Sequence, residues 1–223
     1  MPQSQRHGFI YENHIRTLVF LLEEVSNDTN THDIRCIQNR FDSTENISIK
    51  CSGGTRIECG DIQRFYSYDF SEKNTIIFIQ YRQNTDITKI INRIYEIDYN
   101  QELHALLFGT ITKEEINEYV QFIKSIPAGR EAREQCKAEY KKRKKKLQTI
   151  RNMKTCIHPK VDSGSQRRVQ CSFDISKIPE EFITYTSPKE VPNLLRGIKI
   201  PLTIESSIRK FNPKIKNTID LIQ

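Results

Sequence analysis

Three charged residues in the first quarter of the chain, Glu12, Asp33 and Lys50, are of the types that metal-assisted phosphodiester hydrolysis requires. Carboxylates hold a divalent cation such as Mg²⁺. A lysine beside them orients an attacking water and offsets the charge that builds on phosphate oxygens. Asp33 and Lys50 stand on either side of the polar segment FDSTEN (41–46), which reads as a turn. Neighbouring strands would then bring the two side chains together at one edge of a sheet. Glu12 precedes Ile15 by three residues and Val19 by seven, so on a helix its carboxylate lies beside the apolar stripe and is aimed at the sheet. An inward-pointing acid calls for a partner.

The elements that must position these residues follow from periodicity. Ile15, Leu18, Val19, Leu22 and Val25 fall at helical spacing, which predicts an amphipathic helix over 10–25, stopped by NDTNT. DIRCIQ (33–38) predicts a short strand. NISIKCS (46–52) predicts another, with Ile47, Ile49 and Cys51 on one side and Ser48, Lys50 and Ser52 on the other. A short helix is expected over 61–68. NTIIFIQY (74–81) is an apolar, β-branched run of the kind found in strands covered on both faces. Helices are expected at 101–108, closed by Gly109, and from a Thr112/Glu115 capping box to just before Pro127. A basic helix from about 130 to 150 and a β-hairpin with its turn near Ser163-Gly164-Ser165 follow. These elements predict a single α/β domain over 1–223, with a central mixed β-sheet flanked by helices. Its core would span 8–100, its helical and hairpin elaborations 101–175, and an irregular proline-containing segment 176–223.

In this order, a helix bearing GFIYE (8–12), a strand opening with His32-Asp33 and a strand ending in Ser48-Ile49-Lys50 resemble the core of the PD-(D/E)xK nuclease superfamily. The chain resembles type II restriction endonucleases and, in the helix-borne Glu12, Holliday-junction resolvases. The resemblance covers roughly residues 8–81. It implies a restriction-endonuclease-like core, Mg²⁺ as cofactor, Asp33 and Glu12 as metal ligands, and Lys50 as the catalytic cation. It also implies endonucleolytic cleavage of double-stranded DNA by a homodimer whose two-fold symmetry matches a palindromic site. Two positions depart from the pattern. His32 stands where proline is usual, and Ser48 stands where a second carboxylate is expected; a hydroxyl is a poorer Mg²⁺ ligand. Glu45, Glu58 and Asp61 are candidates to replace that acid. Asp61 is the foremost, since it follows Gly60 at the start of a predicted helix. Each motif residue also has a plain structural reading: Glu12 paired with Arg16, Asp33 capping a strand or turn, Lys50 an ordinary solvated lysine.

Charge points to a polyanionic partner. The chain carries 35 Lys/Arg against 28 Asp/Glu, a net of +7. Residues 130–168 hold 14 of the bases and only 4 acids, so the remainder is net negative. On the basic helix, Lys141, Lys144 and Lys145 are expected to follow a phosphate backbone, which adds affinity without sequence reading. In the hairpin, Lys160, Gln166, Arg167, Arg168 and Gln170 are of the types that reach base edges in the major groove.

Other classes are disfavoured. No apolar run approaches the roughly 18 residues a membrane span needs. The opening MPQSQRHGF lacks the apolar segment of a secretory signal, so a soluble cytoplasmic protein is expected. No two of the six cysteines are spaced CxxC, which argues against a zinc ribbon and leaves reduced thiols as the expectation. The rival functions are a non-catalytic nucleic-acid-binding protein with a nuclease-like fold, a structure-selective junction resolvase, and a protein-interaction module.

Overall fold

The computed structural model describes residues 6–24, 32–127, 129–161 and 167–205. Helix α1 (Arg6–His14) runs into one π-helical turn (Ile15–Val19). The helix thus begins before, and ends well short of, the expected 10–25. The wide turn rotates Leu18 out to 42% exposure, and Leu21, in the left-handed region at φ 57°, ends the element. Tyr11, Ile15 and Val19 still point inward, fully buried.

The expected strand over 33–38 reduces to one antiparallel bridge, Ile34 to Ile47, followed by a 3₁₀ turn (Cys36–Gln38). The ladder stops because the Asn46 side chain accepts the Cys36 N–H (2.8 Å) and the Gln38 side chain accepts that of Arg35 (3.3 Å). Strand β1 (Glu45–Ser52) keeps the expected alternation, with Ile47 and Ile49 turned toward α1. β2 (Arg56–Asp61) and α2 (Ile62–Tyr66) cross over to β3 (Lys73–Gln83), which lies parallel to β1. β3 is buried on both faces, as its apolar run predicts. Ile77 and Ile79 join the α1-side core, while Ile76 and Phe78 join the core on the opposite face.

β4 (Thr88–Asp98), antiparallel to β3, has no counterpart in the expectations above. Its buried isoleucines fall at 91, 94 and 97. A bulge leaves Asn92 outside the pairing, and Ile97 serves the opposite core from Ile91 and Ile94, so no period of two survives in the sequence. A second, three-stranded sheet has the order β2, β6 (Arg168–Asp174), β5 (Cys156–Lys160). β5 and β6 are the expected hairpin; its turn lies outside the described residues.

Helices α3 (Gln101–Phe108) and α4 (Lys113–Ser125) pack in the core between the two sheets, and α5 (Arg130–Ile150) follows them. α4 opens with the predicted capping box, since Thr112 Oγ1 accepts the Glu115 N–H (3.2 Å) and Glu115 accepts that of Thr112 (3.0 Å). The described part of the C-terminal segment is made of short elements, strands among them. β7 (Ile183–Thr186) and β10 (Thr203–Glu205) both pair with β4, and β8 (Leu194–Leu195) and β9 (Ile198–Lys199) form a tight hairpin. The molecule is therefore mixed α/β, with a curled mixed sheet flanked by helices. Among the described residues no helix is long and apolar enough to cross a membrane.

Candidate active site

β1 is an edge strand, and its outer side is where Asp33 docks. Asp33 Oδ2 accepts the Ile49 N–H that the sheet leaves unpaired, and it also takes the Lys50 ammonium at 3.3 Å. Among the described residues no hydrogen bond falls on Oδ1. Both side chains reach solvent, at 19% (Asp33) and 27% (Lys50) exposure. The backbone around Asp33 is fixed from two directions. The Ile34–Ile47 bridge pins the next residue (3.0 and 2.8 Å), and the buried guanidinium of Arg16 donates to the Asp33 carbonyl. Arg16 also donates to the Glu23 carbonyl (3.3 Å), so one cation ties the end of α1's π-turn to the strand edge.

Lys50 Nζ makes a further bond to the Ile49 carbonyl (3.1 Å). Burial pulls its pKa down, but Asp33 beside it reverses the sign, and the ammonium titrates above the ordinary lysine value. Lys50 is thus a cation at neutral pH and not a base.

Ser48, two residues earlier on the same side of β1, bonds the Tyr68 hydroxyl (2.9 Å), which in turn reaches His32 Nδ1 (3.1 Å). Burial lowers the His32 pKa, against the pull of Asp33 and Glu72. A small cavity of about 30 Å³ opens over this group, lined by Ser48, Lys50, Cys59, Arg64, Phe65, Tyr68 and Ile76.

Glu12 approaches from the α1 side. It, Asp33 and Lys50 all act electrostatically on the Cys51 thiol, whose pKa is driven up chiefly by burial, with Lys50 opposing and the two acids reinforcing. Lys50 and Asp33 are thus in contact at the edge of β1, while Glu12 bears on Cys51 from the α1 side. The candidate replacement acids are occupied elsewhere. Asp61 caps α2, accepting the N–H groups of Gln63 (3.0 Å) and Arg64 (3.2 Å). Glu45 is buried among Arg196, Thr75 and Asn39, and Glu58 lies on the outer side of β2, raised in pKa by burial beside Arg56 and Lys160. Among the described residues no three His, Cys, Asp or Glu converge into a ready-made metal cage.

The basic residues divide. Lys144 on α5 and Lys160 on β5 both bear on His158, together with Arg56 on β2. Burial and these three cations hold that imidazole down to about 4. Lys160 pairs across the hairpin with Arg168, and His158 with Gln170, so all four share one face of the second sheet. Lys141 and Lys145 are exposed on α5. Arg167 turns aside to the Lys124 carbonyl (3.4 Å), and Gln166 lies outside the described residues. Sequence reasoning missed Arg56, Arg64, the Ser48–Tyr68–His32 chain and the reach of Arg16 to the Asp33 carbonyl. Their roles arise from contacts between elements, and only the i+3 spacing of Arg64 from a helix-capping Asp61 was locally visible.

No protein-family model, curated protein or solved structure matches this chain.

Proposed function

We propose that the chain is a Mg²⁺-dependent endonuclease of the PD-(D/E)xK type, with a restriction-endonuclease-like core, acting on double-stranded DNA. The observation that carries this reading is the Asp33–Lys50 pair at the edge of β1, with Asp33 Oδ1 taking no hydrogen bond among the described residues. Mg²⁺ is commonly held by one or two carboxylates plus waters and substrate phosphates rather than by an all-protein cage. Asp33 Oδ1 fits such a role, and Glu12 would complete it directly or through water. The metal would supply Lewis-acid activation of the phosphate and a more acidic bound water. The chain's own residues do the rest. Asp33 orients the site through its grip on the β1 backbone. Lys50, kept charged by Asp33, positions the attacking oxygen and stabilises the negative charge that develops on the phosphate. The cationic face formed by Lys144, Lys160, Arg168 and Arg56 would hold the flanking backbone, with Gln170 placed among them to reach bases.

Ser48 favours a second reading, a DNA-binding protein without cleavage, because its hydroxyl is engaged by Tyr68 where the resemblance calls for a carboxylate. Plasmid DNA incubated with Mg²⁺ and the purified protein separates the two. The nuclease reading expects nicked and linear products, lost with Asp33→Ala and Lys50→Ala and lost on chelation with EDTA. Intact plasmid under all conditions, with salt-sensitive binding retained, would establish the binder instead. A junction resolvase would cut a four-way junction far faster than linear duplex.

A further inference from the structure

The cavity beside Lys50 is lined by a second cation, Arg64. Arg64 lies on α2, and among the described residues no carboxylate pairs with its guanidinium. Its position is built. Asp61 accepts the Arg64 N–H, fixing the first turn of α2, and the β2 strand bulges at Gly60, which sits at φ +79°. An added Cβ at Gly60 would touch Arg64 Nη2 at 3.5 Å, so the guanidinium lies flush against the glycine. Lys50, Ser48 and Tyr68 line the same recess. The Ser48 and Tyr68 hydroxyls form a chain to His32, which leaves the charge of the recess to the two cations. Lys50 is already balanced by Asp33, so the unbalanced positive charge is that of Arg64. A volume of about 30 Å³ accommodates about two waters, which matches the two non-bridging oxygens of a phosphodiester and excludes a whole nucleotide.

We infer that this recess is a phosphoryl subsite in which Arg64, outside the Glu-Asp-Lys motif, clamps the scissile phosphate together with Lys50. The assignment deepens the nuclease reading and rests on it for the identity of the anion as a DNA phosphate. A planar guanidinium offers two parallel donors to two phosphate oxygens, which a lysine cannot reproduce.

The test begins without catalysis. Inorganic phosphate is titrated into ¹⁵N-labelled protein at constant ionic strength, held with chloride, while the Arg64 side-chain N–H and the Ser48 and Lys50 amides are followed. A saturable shift at all three is expected, weakened about tenfold or more in Arg64→Ala and partly restored in Arg64→Lys. No shift at Arg64, or equal affinity in Arg64→Ala, overturns the subsite. Because Arg64 is exposed, the variants should melt with the parent, which a thermal scan checks. Plasmid cleavage then separates the two claims. Phosphate binding that needs Arg64, with no cleavage by any variant, keeps the subsite and removes the nuclease. Cleavage that needs Asp33 and Lys50 but proceeds in Arg64→Ala with unchanged kcat and KM keeps the nuclease and removes the subsite.

Discussion

Asp33 does two jobs with one carboxylate: it closes the open edge of β1 through the Ile49 N–H, and it holds Lys50 charged. Asp33→Asn would keep the shape but put a weaker acceptor there, so on the proposed nuclease reading cleavage should fall by orders of magnitude while the fold survives. Asp33→Ala would also uncover the strand edge and lower stability. Arg16 acts one step behind it, as a positioning residue. Arg16→Met removes the donor to the Asp33 carbonyl, and on the proposed nuclease reading the expected result is lower kcat with the pH dependence of cleavage unchanged, read by steady-state kinetics on plasmid. A different arginine carries stability. The Arg196 guanidinium pairs with Glu45 (2.9 Å) and Glu96 (2.6 Å), all three largely buried, and lies within 5.4 Å of the Phe20 and Phe41 ring centres. Truncating one side of a buried ion pair strands the other charge away from water. Arg196→Met should therefore cost about 3–5 kcal/mol in urea denaturation, with the C-terminal strands loosened because Arg196 sits in the turn between β8 and β9.

At the scale of elements, the ends of α3 and α5 are stitched together at Gly109. This residue has φ 62°, and a Cβ there would overlap the Arg151 carbonyl, which already accepts the Thr110 N–H (2.9 Å). Gly109→Ala should cost about 3 kcal/mol or more, from the clash plus left-handed strain. Thr112→Ala, which removes only half of a capping box, should cost about 1 kcal/mol. The contrast is measurable by denaturant midpoint. Elements of this kind were readable in the sequence because their signals are local. The Gly109 stop, the Thr112/Glu115 box, the alternation of 46–52 and the apolar run of β3 all report on residues next to them in the chain. β4 was hidden because a bulge at Asn92 and a change of core at Ile97 erase its period. The 33–38 segment read as a strand from its composition, yet Asn46 and Gln38 side chains take the N–H groups a ladder would use. Within the site, the meeting of Asp33 and Lys50 was legible, because neighbouring segments were expected to bring the two side chains together. The cavity was not, because Ser48 and Lys50 on β1, Cys59 on β2, Arg64 on α2 and Ile76 on β3 line it from separate elements.

Across the whole molecule, positive charge collects on two connected surfaces. Asp61, which caps the helix of Arg64, lies opposite Gln170 in the second sheet, and Gln170 lies opposite His158, beneath Lys144 and beside Lys160. A duplex seated over the cavity would thus run onto that face. Replacing Lys144, Lys160 and Arg168 by Gln should each lower the slope of log affinity against log salt by about 0.9, with little change in melting temperature. Histidines spread through the molecule shape its stability against pH. Burial holds His104 and His158 down to about 4 in the folded chain, and His14 and His32 are also lowered. An unfolded histidine titrates near 6.5. As pH falls below that value, the unfolded chain takes up protons that the folded chain refuses, so stability must fall toward acid. Carboxylates lowered by their partners, such as Glu45 and Glu115, lose their contribution only below their ordinary range near 4.5, while Glu58, raised by burial, works weakly in the other direction. Between about pH 6.5 and 5 the histidines dominate. The melting temperature should therefore drop steadily over that window, and the double variant His104→Gln/His158→Gln should flatten the drop even if it melts lower throughout. A melting temperature that is level or rises from pH 6.5 to 5 would contradict the burial of these imidazoles in their neutral form.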